Sequence, residues 1–562
     1  MKVFLGPKGI TLTQNQYIGQ GGQATIYAEN GVAYKIYHQK EKPLSKQKFS
    51  ELKVLQPLKH IIGPDELLTN EKGKEVGFTM RHLPAVEYLP RIFTMGFRTQ
   101  NGIDHSDVAK LVKQAQDDLN EIHSTGIICV DINPMNFLTS HSFDEIYWID
   151  VDNWQTKSYP ASALMPSVRD PKVTGNKFDQ GSDWFSWACV MFELYIGAHP
   201  YKGRHPDYGK NWQEMMKNGI SLFNAKTKMP PNTQDWNVIP KGHLRWFEAV
   251  FEHGERTAPP QPEEAKVALG TPTTVIISST SKFELIPIRE LEHKILSVRV
   301  INGITYSYTA KAIYADNLEK KSYSAETKSR NQYDFCPTQN SEPTVIQYNR
   351  SAKTLNYSAM DGTLSGVLET TGFFVRNERL YAVTNNALIE FYFTNLGAKT
   401  IVGQQMVANI FHQHQVFDGI ILQDILGTCR AAIPLEVGVC TTPHIKELDG
   451  LRIIYARYQD RFAVVIAEQA GKFNRFTLHF SKTTDTYEIR KEEDVNLEEF
   501  QMAVLDKGVC VVSNDESIEI FKDTSTTKLV GDSPLTGAQT MYSYKNDIMI
   551  FYKNRIAQLK LK

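Results

Sequence analysis

The residues with the most chemistry lie between positions 127 and 155. In Ile127-Ile-Cys-Val-Asp131-Ile-Asn133-Pro-Met-Asn136-Phe-Leu, an Asp is followed five residues later by an Asn. One loop can then offer a carboxylate to a substrate hydroxyl and an amide carbonyl to a metal. Downstream, Ile146-Tyr-Trp-Ile reads as a short strand ending in Asp150-Val-Asp152-Asn-Trp-Gln155. Carboxylates at a strand end beside an Asn are oxygen donors of the kind that hard cations such as Mg2+ take. Asp150 and Asn136 are the expected ligands. Asp152 is a second acid that shares the face of Asp150 only if the strand continues; otherwise it caps the following turn.

A second cluster precedes this one. In Gly19-Gln-Gly21-Gly22-Gln-Ala24-Thr-Ile26-Tyr27, closely spaced glycines let a hairpin lie over phosphates and offer its N–H groups without side-chain clash. The apolar run Val32-Ala33-Tyr34-Lys35 follows and ends in one lysine, placed to pair with phosphates. In the next helical stretch, Lys46 to Leu55, Glu51 falls where an acidic partner for Lys35 is needed.

Helices and strands must hold these loops. Val108, Leu111, Val112, Ala115, Leu119 and Ile122 form one apolar helical face just before the Asp131 loop, and Trp184–Trp187–Val190–Met191–Leu194 marks another helix. The texture changes near residue 255, where Arg256-Thr-Ala-Pro-Pro-Gln-Pro reads as an extended spacer. From about residue 275, short β-branched and aromatic runs alternate with polar turns. They include Thr274-Val-Ile-Ile-Ser, Gly303-Ile-Thr-Tyr, Arg379-Leu-Tyr-Ala-Val, Gly419-Ile-Ile-Leu, Arg461-Phe-Ala-Val-Val, Gly508-Val-Cys-Val-Val and Asp547-Ile-Met-Ile-Phe. The turns at Glu378, Gly419, Gly450, Gly508 and Asp547 recur near the ~40–50 residues of a four-stranded propeller blade. The expected fold is multidomain: an α+β unit followed by an all-β domain, a β-propeller of six or seven blades, with paired β-sandwiches as the alternative.

Residues 10 to about 257 resemble eukaryotic-type (Hanks-like) Ser/Thr protein kinases. Gly19-x-Gly21-x-x-Ala24-x-Ile26 resembles the Gly-rich loop, and Val32-Ala33-Tyr-Lys35 the lysine strand. Asp131-x-x-x-x-Asn136 resembles the catalytic loop, and Asp150 takes the place of the Asp-Phe-Gly aspartate. Asp183-Trp-Phe-Ser186 with Glu193-Leu-Tyr-Ile-Gly-Ala-His-Pro, and Gly254-Glu-Arg256, are similar to the large-lobe motifs. The variant motifs are similar to a bacterial or phage subgroup associated with von Willebrand A-type proteins and metal-dependent phosphatases.

The resemblance implies a bilobal domain at 1–257, with a small lobe at 1–82 and a large lobe at 83–257, a linker at 258–274 and the β-domain at 275–562. It implies ATP and Mg2+ as cofactors, and catalysis by Asp131 on protein Ser or Thr hydroxyls. Gly19, Gly21, Gly22, Ala24, Ile26, Ala33, Lys35 and Glu51 would surround the nucleotide, and Asn136, Asp150 and Asp152 the metal. Departures from the pattern are visible. Cys129 and Val130 stand where His and Arg precede the catalytic Asp, and Asn133 replaces a Lys. Asn133 can still donate a hydrogen bond to a phosphoryl oxygen, without the charge. The Ala-Pro-Glu segment is reduced to Arg169-Asp170-Pro171, and if Asp170 replaces that Glu, Arg256 is its natural partner. Two alternatives stay open: a pseudokinase scaffold worked by its propeller, and a small-molecule or nucleotidyl transferase on the same fold.

Composition sets bounds on partners. The 562 residues carry 62 Lys+Arg against 63 Asp+Glu, so bulk charge gives no reason to expect nucleic acid or a membrane surface. Six cysteines without a Cys-x-x-Cys pair suit a reducing, cytoplasmic setting. No signal peptide is read in Met1–Ile10, and Trp184–Ala198 is too short and polar for a membrane span. His412 and His414 lack a third ligand and read as surface residues. The expected partners are protein substrates and a protein bound by the propeller.

Overall fold

The computed structural model describes residues 1–161, 166–230, 233–262, 279–323, 330–339, 341–495, 497, 500–513, 517–523, 527–535 and 539–562. The chain divides into two compact units: Met1–Phe93 with Asp104–Thr274, and Thr94–Ile103 with Val275–Lys562. The expected strand at 274–278 and most of the linker lie outside the described residues.

The first unit begins with a seven-stranded antiparallel sheet. Its order is Lys8–Thr11, Lys2–Leu5, Glu66–Thr69, Glu75–Arg81, Val32–Tyr37, Ala24–Glu29 and Tyr17–Gln20. The strand Val32–Tyr37 is nearly all buried because it has a neighbour on each side. Residues 33–36 can therefore be Ala, Tyr, Lys and Ile only if the Lys finds acids. The helix Lys46–Leu52 follows, capped by Ser45, whose side chain accepts the Lys48 amide.

The helix His105–Ser124 starts in a capping box made by Asp104 and Asp107, and buries the predicted face from Val108 to Ile122. The helix Gln180–Ile196 is capped the same way by Asp179 and ends at Gly197, whose φ of 80° is the left-handed C-cap that Gly favours. From Ser182 to Ile196 every residue of it is buried, so it is a core helix of the first unit rather than a surface helix. A three-stranded sheet, Ile146–Trp148, Phe137–Ser140 and Val86–Tyr88, carries the Asp131 and Asp150 loops at its ends.

Among the described residues, the second unit is all β apart from two short helical pieces. Antiparallel four-stranded meanders follow one another: Ile295–Ile301 to Leu318–Ser322, His414–Phe417 to Val439–Thr441, Arg452–Gln459 to Tyr487–Glu492, and Met502–Val504 to Thr527–Gly531. Between the first and second of these lies an eight-stranded sheet from Asn331–Gln339 to Lys399–Asn409. It is two meanders joined where Thr338 and Gln339 run parallel to Phe393 and Thr394. The strand Phe283–Glu290 pairs with Arg555–Leu561, so the first strand completes the sheet of the last three. Apolar cores sit between successive sheets. Ile420, Leu422 and Ile433 meet Ala456, Val465 and Phe476, for example, and Val511 and Ile518 meet Met541 and Ile550. The turns predicted at Glu378, Gly419, Gly450 and Gly508 all have positive φ. Hydrogen bonding is not continuous around the sheets.

One segment falls elsewhere than its sequence position suggests. Residues 94–103, read as large lobe, cluster with the second unit. The short helix Met95–Asn101 belongs there because Asn101 Oδ1 accepts from Arg350 Nε at 3.1 Å and the Arg350 guanidinium lies over Phe97. No helix among the described residues is long and apolar enough to cross a membrane.

Candidate functional site

Lys35 anchors the site. Its residue faces Ile26 on one neighbouring strand and Phe78 on the other, and it is 5 % exposed. The adjacent strand comes close because residue 77 is glycine: a Cβ there would lie 2.0 Å from the Lys35 carbonyl oxygen. Lys35 Nζ donates to Asp150 Oδ1 at 2.6 Å and to Asp152 Oδ1 at 2.7 Å. Burial pulls the ammonium pKa down, but the Asp152 and Asp150 carboxylates more than reverse this and hold it above the usual lysine value.

Asp152 is the more enclosed of the two acids. Its side chain is 3 % exposed, against 32 % for Asp150. Its Oδ1 accepts from Lys35, and its Oδ2 accepts from the Tyr37 hydroxyl at 2.5 Å. Burial, with Asp152 next, pushes the Tyr37 phenol far above its ordinary pKa, so it stays a donor. Lys48, on the helix Lys46–Leu52, donates to the Asp152 backbone carbonyl at 2.7 Å. Glu51, the expected partner of Lys35, is not brought to it. Its carboxylate accepts the Ser158 amide at 3.1 Å, because this face of the helix turns toward residues 156–158 while Lys48 faces Asp152.

Asp150 has a φ of 64° and starts the 3-10 turn Val151–Asn153. The left-handed conformation turns the chain back at once. The strand does not continue; a tight turn follows instead, and it brings both acids to Lys35. Asn153 Nδ2 donates to Asp150 Oδ2 and to Gln23 Oε1, both at 3.3 Å. The second contact ties this turn to the Gly-rich hairpin. That hairpin closes by Gly21 N–H to the Ala24 carbonyl at 2.9 Å, with Gly19 opposite Ile26. A Cβ at Gly19 or Gly22 would meet nothing within 4 Å, so both glycines border open space. Ala24, on the hairpin, and Ala33, on the strand beside it, are buried, and Ile26 is half-buried.

The catalytic-loop residues are positioned from behind by Asp183, in the buried helix Gln180–Ile196. Its Oδ2 accepts the Cys129 amide at 2.7 Å and its Oδ1 the Val130 amide at 2.8 Å, while His123 Nε2 lies 3.0 Å from Oδ2. These bonds hold Val130 at φ 64°, a conformation that a β-branched residue resists. Asp131 follows. Asn136 Nδ2 donates to the Asp131 backbone carbonyl at 3.0 Å and to its Oδ2 at 3.2 Å. Asn133 Nδ2 donates to the same Oδ2 at 2.9 Å, and its Oδ1 caps the Met135 amide. Asn133 thus holds Asp131 through its amide nitrogen and caps the following turn through its oxygen.

The donor set fits a divalent cation in part. The Asn136 amide nitrogen faces Asp131, which leaves its Oδ1 for a metal, and Asp150 is the more exposed acid. Among the described residues, no cluster of three or more His, Cys, Asp or Glu side chains could hold a metal unaided. Mg2+ needs none, since it is commonly held by one or two protein oxygens plus substrate phosphates. Asp152 suits this role less, with both oxygens taken.

Farther out, Arg256 Nε and Nη2 grip Asp170 at 2.6 and 2.8 Å, the partnership read from the sequence. The roles of Asp183, Tyr37 and Lys48 were not read there. Two of them left a trace: Asp183 opens the motif Asp183-Trp-Phe-Ser186, and Tyr37, two residues on along the strand, shares the face of Lys35. In the second unit, His414 is bonded to Thr371 and the Phe411 carbonyl, and His412 lies beside Asn386.

Residues 12–241 match the family model of the protein kinase domain. The chain is 24% identical over 207 residues to serine/threonine-protein kinase cds1 of Schizosaccharomyces pombe, covering 32% of this chain and 44% of that protein. It is 26% identical over 111 residues to serine/threonine-protein kinase 1 of Orgyia pseudotsugata multicapsid polyhedrosis virus, covering 19% and 39%. Human ribosomal protein S6 kinase alpha-6 is 25% identical over 114 residues, covering 19% and 15%. The chain thus spans less than half the length of these relatives. The match to the protein kinase domain model thus lies in the N-terminal part of the chain, and a large region that is mostly β among the described residues follows it.

Proposed function

We propose that the first unit transfers the γ-phosphoryl group of ATP to Ser or Thr hydroxyls of proteins. The observation that carries this reading is the meeting of Lys35 with Asp150 at 2.6 Å, in a turn whose preceding residue, Ile149, donates its amide to the carbonyl of Asn136, the residue that with Asn133 holds the Asp131 carboxylate. The turn that carries Asp150 is also tied to the glycine hairpin through Asn153 and Gln23. Lys35 would pair with the α- and β-phosphates as a point charge, and the hairpin amides from Gly19 to Gly22 would cover them. Asp131 would accept or orient the proton of the attacking hydroxyl. A Mg2+ ion held by Asn136 and Asp150 would neutralise charge on the phosphate oxygens. With Asn133 neutral and already engaged, the transition state receives less positive charge than a lysine would supply, so turnover of the isolated protein is expected to be slow.

The second unit is read as a seven-bladed β-propeller that presents loops to a protein partner. Seven antiparallel meanders, counting the eight-stranded sheet as two, support this, as does the first strand completing the last sheet. Cytoplasmic, bacterial or phage origin and the subgroup assignment stand on the sequence pattern alone.

The test is transfer of label from γ-labelled ATP with Mg2+ to protein acceptors. The parent should label Ser or Thr. Asp131→Asn should lose about 10²–10⁴-fold or more of the rate while retaining nucleotide affinity. Full activity in Asp131→Asn refutes the mechanism, and no transfer by the parent to any protein favours the scaffold.

A further inference from the structure

We propose that Asp152, clamped by Tyr37, is the residue that orients Lys35, and that Glu51 has no part in holding it. The kinetic consequence rests on the kinase reading above; the pairing itself does not.

The argument starts from burial. The Lys35 side chain is 6 % exposed and its ammonium must be neutralised within the unit. Two carboxylates meet it, and they differ. Asp150 is 32 % exposed and faces the side on which a nucleotide and cation would bind, so its contact with Lys35 can be exchanged. Asp152 is 3 % exposed, and both of its oxygens are used, one by Lys35 and one by Tyr37. Charge-assisted hydrogen bonds on both oxygens fix the carboxylate plane, and the phenol cannot leave without stranding a buried acceptor.

Tyr37 lies two residues beyond Lys35 on the same strand, so the clamp and the lysine move together. Lys48 closes the third side through the Asp152 carbonyl. Rotating the helix Lys46–Leu52 to bring Glu51 inward would break that contact and the Glu51–Ser158 contact together. Lys35 is therefore set by the acids of the turn Val151–Asn153, and the helix contributes to that turn through Lys48 rather than through Glu51.

The test uses the full chain without nucleotide, followed by the same variants with nucleotide. All seven tryptophans lie at or before Trp246, so tryptophan fluorescence in urea follows the first unit alone. Two double-mutant cycles are measured: Lys35→Met with Asp152→Asn, and Lys35→Met with Glu51→Gln. The Asp152 cycle should show at least a tenfold coupling in the unfolding equilibrium constant, and the Glu51 cycle less than twofold. A role for Asp152 in the fold alone would leave its cost unchanged in the Lys35→Met background. If Asp152→Asn fails to fold, Tyr37→Phe takes its place and should also couple to Lys35.

With an ATP analogue, Asp152→Asn and Tyr37→Phe should weaken binding at least tenfold and fivefold, with Glu51→Gln unchanged. Coupling concentrated on Glu51, or additive behaviour in both cycles, overturns the proposal. If the parent binds no nucleotide but Lys35 couples to Asp152, the kinase reading fails and this pairing stands. If the parent binds nucleotide and the coupling lies with Glu51, the reverse holds.

Discussion

Replacing Arg256 by Met should destabilise the first unit by about 3–5 kcal/mol, the cost of removing one partner of a buried ion pair. Asp170 is 3 % exposed and Arg256 18 %, and the guanidinium makes two parallel bonds at 2.6 and 2.8 Å. It also donates to the backbone carbonyls of Val250 at 3.1 Å and Glu255 at 2.8 Å, and lies 4.4 Å from the Phe185 ring centroid. Met keeps the stem and part of the ring contact. The loss is therefore chiefly the stranded Asp170 carboxylate, whose remaining neighbour is the Lys172 amide at 2.9 Å. Arg256→Lys restores the charge but not the fork, and should recover roughly half. Arg256→Met with Asp170→Asn should cost less than the two single changes added, because no charge is then left buried. Urea unfolding followed by tryptophan fluorescence reads this unit alone, Trp246 itself donating to the Thr257 carbonyl beside Arg256. A loss under ~1 kcal/mol for Arg256→Met, or strict additivity in the cycle, would refute the reasoning.

Other expectations concern buried groups. Burial raises the Glu193 carboxyl to about 7, so between pH 4.5 and 7 the folded state keeps a proton that the unfolded chain releases. Stability should fall as pH rises through that window, by at most ~3 kcal/mol, and Glu193→Gln should flatten the fall and outlast the parent at pH 8 in thermal melts. Burial lowers the His243 imidazole to about 4, its Nε2 lying 3.0 Å from Gln116 Oε1. The unfolded chain therefore takes up a proton below pH 6.5 that the folded state refuses; stability should drop from pH 6.5 toward 4, and less steeply in His243→Gln. Asp183→Asn should lower the phosphoryl-transfer rate by ~10–100-fold with nucleotide affinity kept, because it loosens the backbone that aims Asp131. Equal losses in rate and affinity would show that Asp183 supports the whole unit.

The chain announces its local chemistry and leaves the pairings to the fold. Glycine spacing at 19–22, the Lys after an apolar strand, and Asp131 five residues before Asn136 are properties of short segments. The helix His105–Ser124 and the turns at Glu378, Gly419 and Gly508 were legible for the same reason, since periodicity and turn chemistry act within a few residues. Which acid meets Lys35 was not legible, because the choice lies between residues 16 and 117 positions away and depends on how a helix is rotated. Asp150 adopts a left-handed φ, and that single backbone angle turns Asp152 inward onto Lys35 and Tyr37. Asn133 shows the same limit: its residue type did not reveal that its amide would both hold Asp131 and cap the 3-10 turn after it. The helix Met95–Asn101 left its sequence neighbours for the second unit because its partners, Arg350 and Gln332, lie more than two hundred residues on. Local sequence determined which groups are offered, and burial and long-range hydrogen bonding decided which of them meet.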